Sequence, residues 1–399
     1  MVLGALAVAE DAPELVADLL AAARQHAFIV LEAYQPDGIY PEGPSYWSYG
    51  SSYEMLLIAA LRSCVGEDWQ LMAAPGLKQS AVFYAQSVGP AGKHFNFADG
   101  GEGQDLNPAI FYLAHELGQP ALVQAKRAMI QRRQGLNERF APLVALWWPE
   151  HAGSSLPALS FSGQGAQPLA IWRSSWTDPD ALYFAIKGGG AAHNHAHMDG
   201  GSFVLDLDGI RWAKDLGMQD YNSLERRGID LWNMKQSSPR WQVFRLGNAA
   251  HNTLSIADSL HDATGMASLR MQRENEALLD LTPLFLPGQL RQASRRARFL
   301  GDQVELEDEI HGVQPGSEIR WAMNTEAAIQ LEDGAALLTL RGKRLRVEFS
   351  GSPVALEIRD ISQPRNDYDQ PNPNTRQLLA RASAAPQGLW RLKVRFARG

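Results

Sequence analysis

Two short stretches concentrate the residue types that move protons or hold metal ions. The first runs His193-Asn194-His195-Ala196-His197-Met198-Asp199 and continues Gly200-Gly201-Ser202-Phe203. In an extended strand positions i and i+2 share a face, so His195 and His197 are expected to point the same way. Asp215 lies in the later run Trp212-Ala213-Lys214-Asp215-Leu216-Gly217, and His251 opens His251-Asn252-Thr253-Leu254 at the start of another expected strand. Two histidines and one carboxylate delivered by neighbouring strands make a nitrogen and oxygen donor set suited to Zn2+. The same spacing also describes a polar strand end whose imidazoles are satisfied by backbone and solvent.

The second stretch, Pro36 to Gly50, sets Tyr40, Tyr46, Tyr49, Trp47 and Glu42 among glycines and prolines. It reads as a loop entering a helix. A tyrosine can act as general acid or base when cations or hydrogen-bond donors lower a phenol pKa of about 10. Aromatics beside it suit a sugar ring, which makes Glu42 and Trp47 candidate substrate contacts; the alternative is a loop pinned by aromatic packing. A third stretch, His94 to Gly103, is rich in glycine but lacks the lysine of a phosphate loop. Either it lines a cleft, with His94 and Asn96 as contacts, or it is a polar connection between helices.

These residues need elements to position them. Asp11 and Pro13 signal a helix start, and Leu15, Val16, Leu19, Leu20 and Ala23 follow at helical spacing. Further helices are expected over 53–62, 74–87, 108–117, 120–133 and 137–146. Near Pro149–Gln167 the pattern changes to a Gly, Ser and Pro-rich stretch, and short alternating runs follow: 182–186, 202–206, 303–307, 344–348 and 390–396. Asp208-Gly209 reads as a hairpin turn. The expected architecture is α+β and multidomain: helices over residues 1–155, then an antiparallel sandwich over 156–399. The polar segment 216–240 reads as a long loop or short helix over the sheet, the kind of loop that carries function.

Composition narrows the chemistry. The chain has 399 residues and a formal net charge of −7, from 37 basic and 44 acidic side chains. It carries no basic run of the kind that binds nucleic acid. The single cysteine, Cys64, excludes an internal disulfide and cysteine-rich zinc modules. No apolar run approaches membrane-spanning length, and the start through Glu10 lacks the basic region of a signal peptide.

At these residues the sequence resembles the heparinase II/III-like polysaccharide lyases. The resemblance is carried by Asn194 to Phe203, Gly209 to Gly217, Asp220-Tyr221-Asn222, Arg240-Trp241, His251 to Leu254, and Pro36 to Gly50. It implies an incomplete α/α toroid followed by an antiparallel β-sandwich, with an anionic polysaccharide bound between them. The implied reaction is β-elimination at a uronic acid of a glycosaminoglycan or alginate. Tyr46 matches the tyrosine acid/base, with Tyr49 the alternative in an ambiguous alignment. His195 matches the histidine facing the substrate, and Tyr221 joins the candidate contacts. His197, Asp215 and His251 match the ligands of a structural zinc that fixes the strand presenting His195.

One departure stands out. The family's Asn-rich stretch, which neutralises the uronate, precedes a helix that the start of this chain resembles in its continuation, and no Asn occurs before Asn96. The chain as written is therefore expected to be weakly active and to self-associate through apolar faces such as Leu15, Leu19 and Leu20. A uronyl C5-epimerase and an inactive carbohydrate-binding remnant are the alternative readings.

Overall fold

A computed structural model describes residues 1–149, 155–384 and 388–399. Part of the Gly/Ser/Pro-rich stretch expected at Pro149–Gln167 lies outside the described residues. The chain divides into two compact units. One comprises Met1–Gln86, Gln104–Pro157 and Gly163–Gly165; the other comprises Ser87–Gly103, Ala158–Ser162 and Ala166–Gly399.

The first unit is helical. It contains α1 (Val2–Ala7), α2 (Pro13–His26), α3 (Gly43–Cys64), α4 (Ser80–Gln86), α5 (Pro108–Glu116), α6 (Gln124–Gln131) and α7 (Ala141–Leu146). Helix α2 begins at Pro13, whose fixed φ suits a first turn, but its N-cap is Ala12 rather than Asp11. Leu15 is exposed there while Val16 is buried. Helix α5 is capped by Asn107, whose side chain accepts from the Ala109 and Ile110 amides.

Helix α3 is longer than its apolar periodicity suggests, because Gly43–Gly50 is helical too. Tyr46, Trp47 and Tyr49 therefore stand on the first two turns of a helix, not in a loop. Helical spacing puts Trp47, Ser51, Met55 and Ile58 in the core and Tyr46, Tyr49 and Tyr53 on the outer face. Trp47 is fully buried and stacks on Tyr84 at 4.2 Å, so it is core and not a sugar platform.

The second unit is built from antiparallel sheets of five, nine and four strands. The five-stranded sheet runs Ser160–Gly163, Leu169–Arg173, Tyr183–Lys187, Phe203–Leu207, Ile210–Ala213. Asp208 and Gly209 turn between its last two strands with positive φ, as the primed hairpin turns require. At the centre of the nine-stranded sheet Val304–His311 pairs with Leu389–Arg398, Val304 opposite Phe396. Alternate residues of Val304–His311 are buried, so one face packs inward and the other carries Glu305, Glu307 and Glu309. The three sheets meet at Phe203, whose ring lies 6.1 Å from Trp321 and 5.8 Å from Phe396.

Residues 87–103, which include the His94–Gly103 run read as cleft lining or as a polar connection between helices, belong to the β unit. Buried polar groups of the five-stranded sheet hold them. Arg173 donates to the Val88 carbonyl and Tyr183 to that of Ser87. Arg211, paired with Asp206, donates to the carbonyls of Lys93 and His94.

One buried group in α3 generates a prediction. Glu54 is buried with Oε1 unpartnered, and burial pushes its pKa up to about 7 from 4.5. The folded state then binds more protons than the unfolded state between those values. Stability should fall as pH rises through this window, by on the order of 3 kcal/mol. Glu54→Gln should remove that fall, giving a larger gain in melting temperature at pH 8 than at pH 5. An identical pH dependence in thermal melts of both proteins would refute it.

Candidate active site

The Asp99 carboxylate organises the histidine cluster. Its Oδ2 lies 2.8 Å from His195 Nδ1 and accepts the Tyr221 hydroxyl at 2.7 Å; its Oδ1 lies 2.7 Å from His197 Nε2. Burial raises its pKa, but the hydrogen bonds from His195, His197 and Tyr221 outweigh burial and hold it well below the usual carboxylate range. An ionised carboxylate only accepts, so His195 Nδ1 and His197 Nε2 each carry the proton. The signal that could have found Asp99 is its place beside glycines in the His94–Gly103 run.

The HxHxD run is a turn rather than a strand. His195 has φ of +60°, a conformation rarely adopted by a residue with a Cβ. His195 and His197 converge because one carboxylate bridges them, not because a strand alternates. The outcome is asymmetric: the His195 side chain is 18% exposed and that of His197 is fully buried. Asp199 forms a buried ion pair with Lys187 and accepts from the Ala98 amide, tying the turn to Asp99's own loop.

His251 and Asp215 meet next door. His251 Nδ1 lies 2.7 Å from Asp215 Oδ2, and Asp215 Oδ1 accepts from the Gly217 amide at 2.8 Å. Burial lowers the His251 pKa, but Asp215 outweighs it and holds the imidazole above its usual value. Gly217 has φ of +62°, and a Cβ there would sit 2.7 Å from the Gly100 carbonyl. Only glycine lets this turn approach the Asp99 loop so closely. The neighbours of His251 set the spacing. Asn252 donates to the carbonyls of Phe203 and Lys214, and Thr253 donates to that of Gly200.

Among the described residues no group of three or more His, Cys, Asp or Glu side chains is arranged to hold a metal ion. The donor chemistry nevertheless fits one. The His197 and His251 rings lie 5.3 Å apart, and His197 Nδ1 and His251 Nε2 are buried without a hydrogen-bond partner. On each ring the other nitrogen is bonded to a carboxylate; for His197 that carboxylate is Asp99, which lies outside the expected ligand set and would orient the ring from behind. Asp215 is engaged with His251, and Asp99 is the corresponding partner of His197.

The sequence profile described as heparinase II/III-like, C-terminal, matches residues 169–392. The chain belongs to the heparinase II/III-like family. No curated protein sequence matches it significantly. Among solved structures it is similar to a heparan sulfate lyase HepC mutant from Pedobacter heparinus, with 15% identity and a TM-score of 0.69 over 100% of this chain and 59% of that one. It is also similar to a structure of heparinase III, with 13% identity and a TM-score of 0.64 over 96% of this chain and 58% of that one. A heparinase III gene product matches with 13% identity and a TM-score of 0.63 over 96% and 55%. The shared fold is helices followed by antiparallel sheets. The chain spans little more than half the length of these proteins.

Within this heparinase II/III-like fold, the expected site residues separate into two groups. His195, His197, Tyr221, Asp215 and His251 fall together in the β unit. His94 and Asn96 are also in that unit but buried: His94 Nδ1 bonds Ser87 Oγ at 2.8 Å, and Asn96 donates to the Gly100 carbonyl. They shape the loop that presents Asp99. Glu42, Tyr46 and Tyr49 lie in the helical unit, with Glu42 at the N-cap of α3. Tyr46 is half-buried, whereas Tyr49 is 62% exposed and borders a cavity of about 220 Å3 with Ser48, Asn107 and Arg139.

Removing the Asp99 charge tests the hub. Asp99→Asn should destabilise the protein at pH 7 by on the order of 3 kcal/mol, because the buried His197 and the partly exposed His195 lose their shared charged acceptor. With a folded pKa below the usual 3.8, the wild-type advantage is present above that value and fades as pH falls below it. Equal unfolding midpoints at pH 7 would contradict the assignment.

Proposed function

We propose that the protein is a polysaccharide lyase that cleaves a uronate-containing glycosaminoglycan by β-elimination. Family membership supports the reaction class. The single observation that carries the reading to named atoms is the partly exposed His195, held on a left-handed turn by Asp99 and Tyr221.

The reaction removes the C5 proton of a uronate and expels the O4 substituent, leaving a C4–C5 double bond conjugated with the carboxylate. Asp99 accepts from His195 Nδ1, so Nε2 is the ring nitrogen available for proton transfer. The Tyr46 phenol is the second proton-transfer group, so that removal at C5 and delivery to O4 are divided between the two residues. Tyr49, more exposed on the same helical stripe, is the alternative phenol. Proton transfer by a positioned side chain contributes about 10²–10⁴ in rate. Tyr46→Phe removes only the hydroxyl and should lower kcat by that order on heparan sulfate, followed as absorbance of the unsaturated product. Wild-type turnover in this variant would move the role to Tyr49.

A zinc ion held by His197, Asp215 and His251 completes the proposal. Its contribution is structural, because ligand binding to the folded state alone adds to stability. His197 Nδ1 and His251 Nε2 are the natural donors, with Asp99 fixing the His197 ring from its far side; Asp215, bonded to His251 Nδ1, would have to leave that imidazole to join them. Protein purified without added metal should contain about one zinc per chain. His251→Ala should lose it, and chelation should lower the melting temperature of wild type. Full metal content in His251→Ala would rule out this ligand set.

A further inference from the structure

Trp232 differs from the other tryptophans of the described residues: 47% of it is exposed, and no other tryptophan ranks among the exposed large apolar side chains. It sits in the irregular segment that follows Asp215, seven positions beyond Glu225, whose Oε1 accepts the indole Nε1 proton at 3.2 Å. The polar edge of the indole is thus satisfied. What remains towards solvent is apolar ring, a surface that costs free energy to hydrate.

Its position is fixed against the histidine turn. The indole meets the His195 imidazole edge-on at 5.2 Å and the Tyr221 ring at 5.1 Å. One buried guanidinium sets that spacing. Arg240 donates through Nη1 to the carbonyl of Leu231, the residue before Trp232, at 2.7 Å. Through Nη2 it donates to the carbonyl of Ala196, the residue after His195, at 2.6 Å. Leu231 itself is buried in a small apolar cluster with Met198 and Trp241. An exposed aromatic face is therefore held rigidly beside the one partly exposed imidazole of the cluster. Rigid aromatic rings supply contact area with little loss of conformational entropy on binding.

We propose that Trp232 is the stacking platform for the pyranose ring adjoining the reacting uronate, an inference that rests on the lyase function proposed above. The π face carries partial negative charge. It suits the C–H face of a sugar ring and disfavours a sulfate or carboxylate pressed against it. The ring seated there presents its hydrogens to the indole and its charged substituents away from it. Trp232 determines binding and takes no part in proton transfer.

Two measurements on Trp232→Ala and Trp232→Phe test this: steady-state cleavage of heparan sulfate, and calorimetric binding of a heparan sulfate oligosaccharide. Trp232→Ala should raise KM and weaken oligosaccharide binding roughly tenfold, as loss of about 1.4 kcal/mol implies, with kcat within about twofold of wild type. Trp232→Phe should recover most of both. Unchanged KM and affinity in Trp232→Ala would overturn the proposal. So would a fall in kcat at constant KM, which would mark Trp232 as a support for His195 only. If wild type binds the oligosaccharide without forming unsaturated product, and Trp232→Ala loses that binding, the lyase reading fails and the platform stands. If wild type neither binds nor cleaves heparan sulfate, chondroitin sulfate or alginate oligosaccharides, the platform is wrong as well. Melting curves of both variants should still show cooperative unfolding well above the assay temperature, since about half of Trp232 faces solvent.

Discussion

A buried carboxylate is tolerable only when its lone pairs are filled, and Asp99 fills its own with His195, His197 and Tyr221. That requirement organises the whole cluster. The two imidazoles must each donate to it, which fixes their tautomers. Fixing the His197 tautomer leaves a buried acceptor nitrogen on the opposite side of that ring, next to His251. Fixing the His195 tautomer makes Nε2 the unprotonated nitrogen of the neutral ring, the atom to which the proposed function assigns proton transfer. One ionised side chain thereby sets the protonation pattern of two residues with different proposed roles.

Buried side chains on neighbouring strands hold the backbone around this carboxylate. Arg295 is the main fastener. It is fully buried, paired with Asp308, and donates through Nη1 to the carbonyls of Gly201 and Asn252. One guanidinium therefore joins the end of the HxHxD turn to the residue after His251. Asn252 in turn accepts from the Asn324 amide. Removing either partner of such a buried pair leaves an uncompensated charge, which is why these pairs are costly to break even when their net stabilisation is small. Arg240 plays the same part on the solvent side of the cluster, between Ala196 and Leu231.

This economy bears on function. The flanking residues of each motif are consumed in holding backbone, and only a few side chains are left partly exposed to meet a ligand. His195 and Trp232 are such residues in the β unit. In the helical unit the tyrosine stripe of α3 is the corresponding feature, with Tyr49 and Tyr53 in edge contact at 5.2 Å and Arg139 bonded to the Tyr53 hydroxyl. Both are aromatic surfaces bordered by polar groups, which is what the proposed glycan substrate would use.

Much was legible in the sequence. Period-2 alternation gave the strands of the sandwich, because the face against the core must be apolar. Glycine placement marked the Asp208-Gly209 turn, because backbone sterics act locally. The histidines, Asp215 and Tyr46 stood out by residue type, and the family resemblance carried their roles. The tertiary structure alone decided the rest. Trp47 and Tyr49 are two residues apart, yet one is core and the other faces solvent, since helix α3 starts at Gly43 and rotates them to different sides. Residues 87–103 belong to the β unit because buried arginines on distant strands capture their carbonyls, a bond no local pattern announces. Asp99 lies 96 positions from His195. Charge complementarity between residues so far apart has no periodicity, and only the folded chain reveals it.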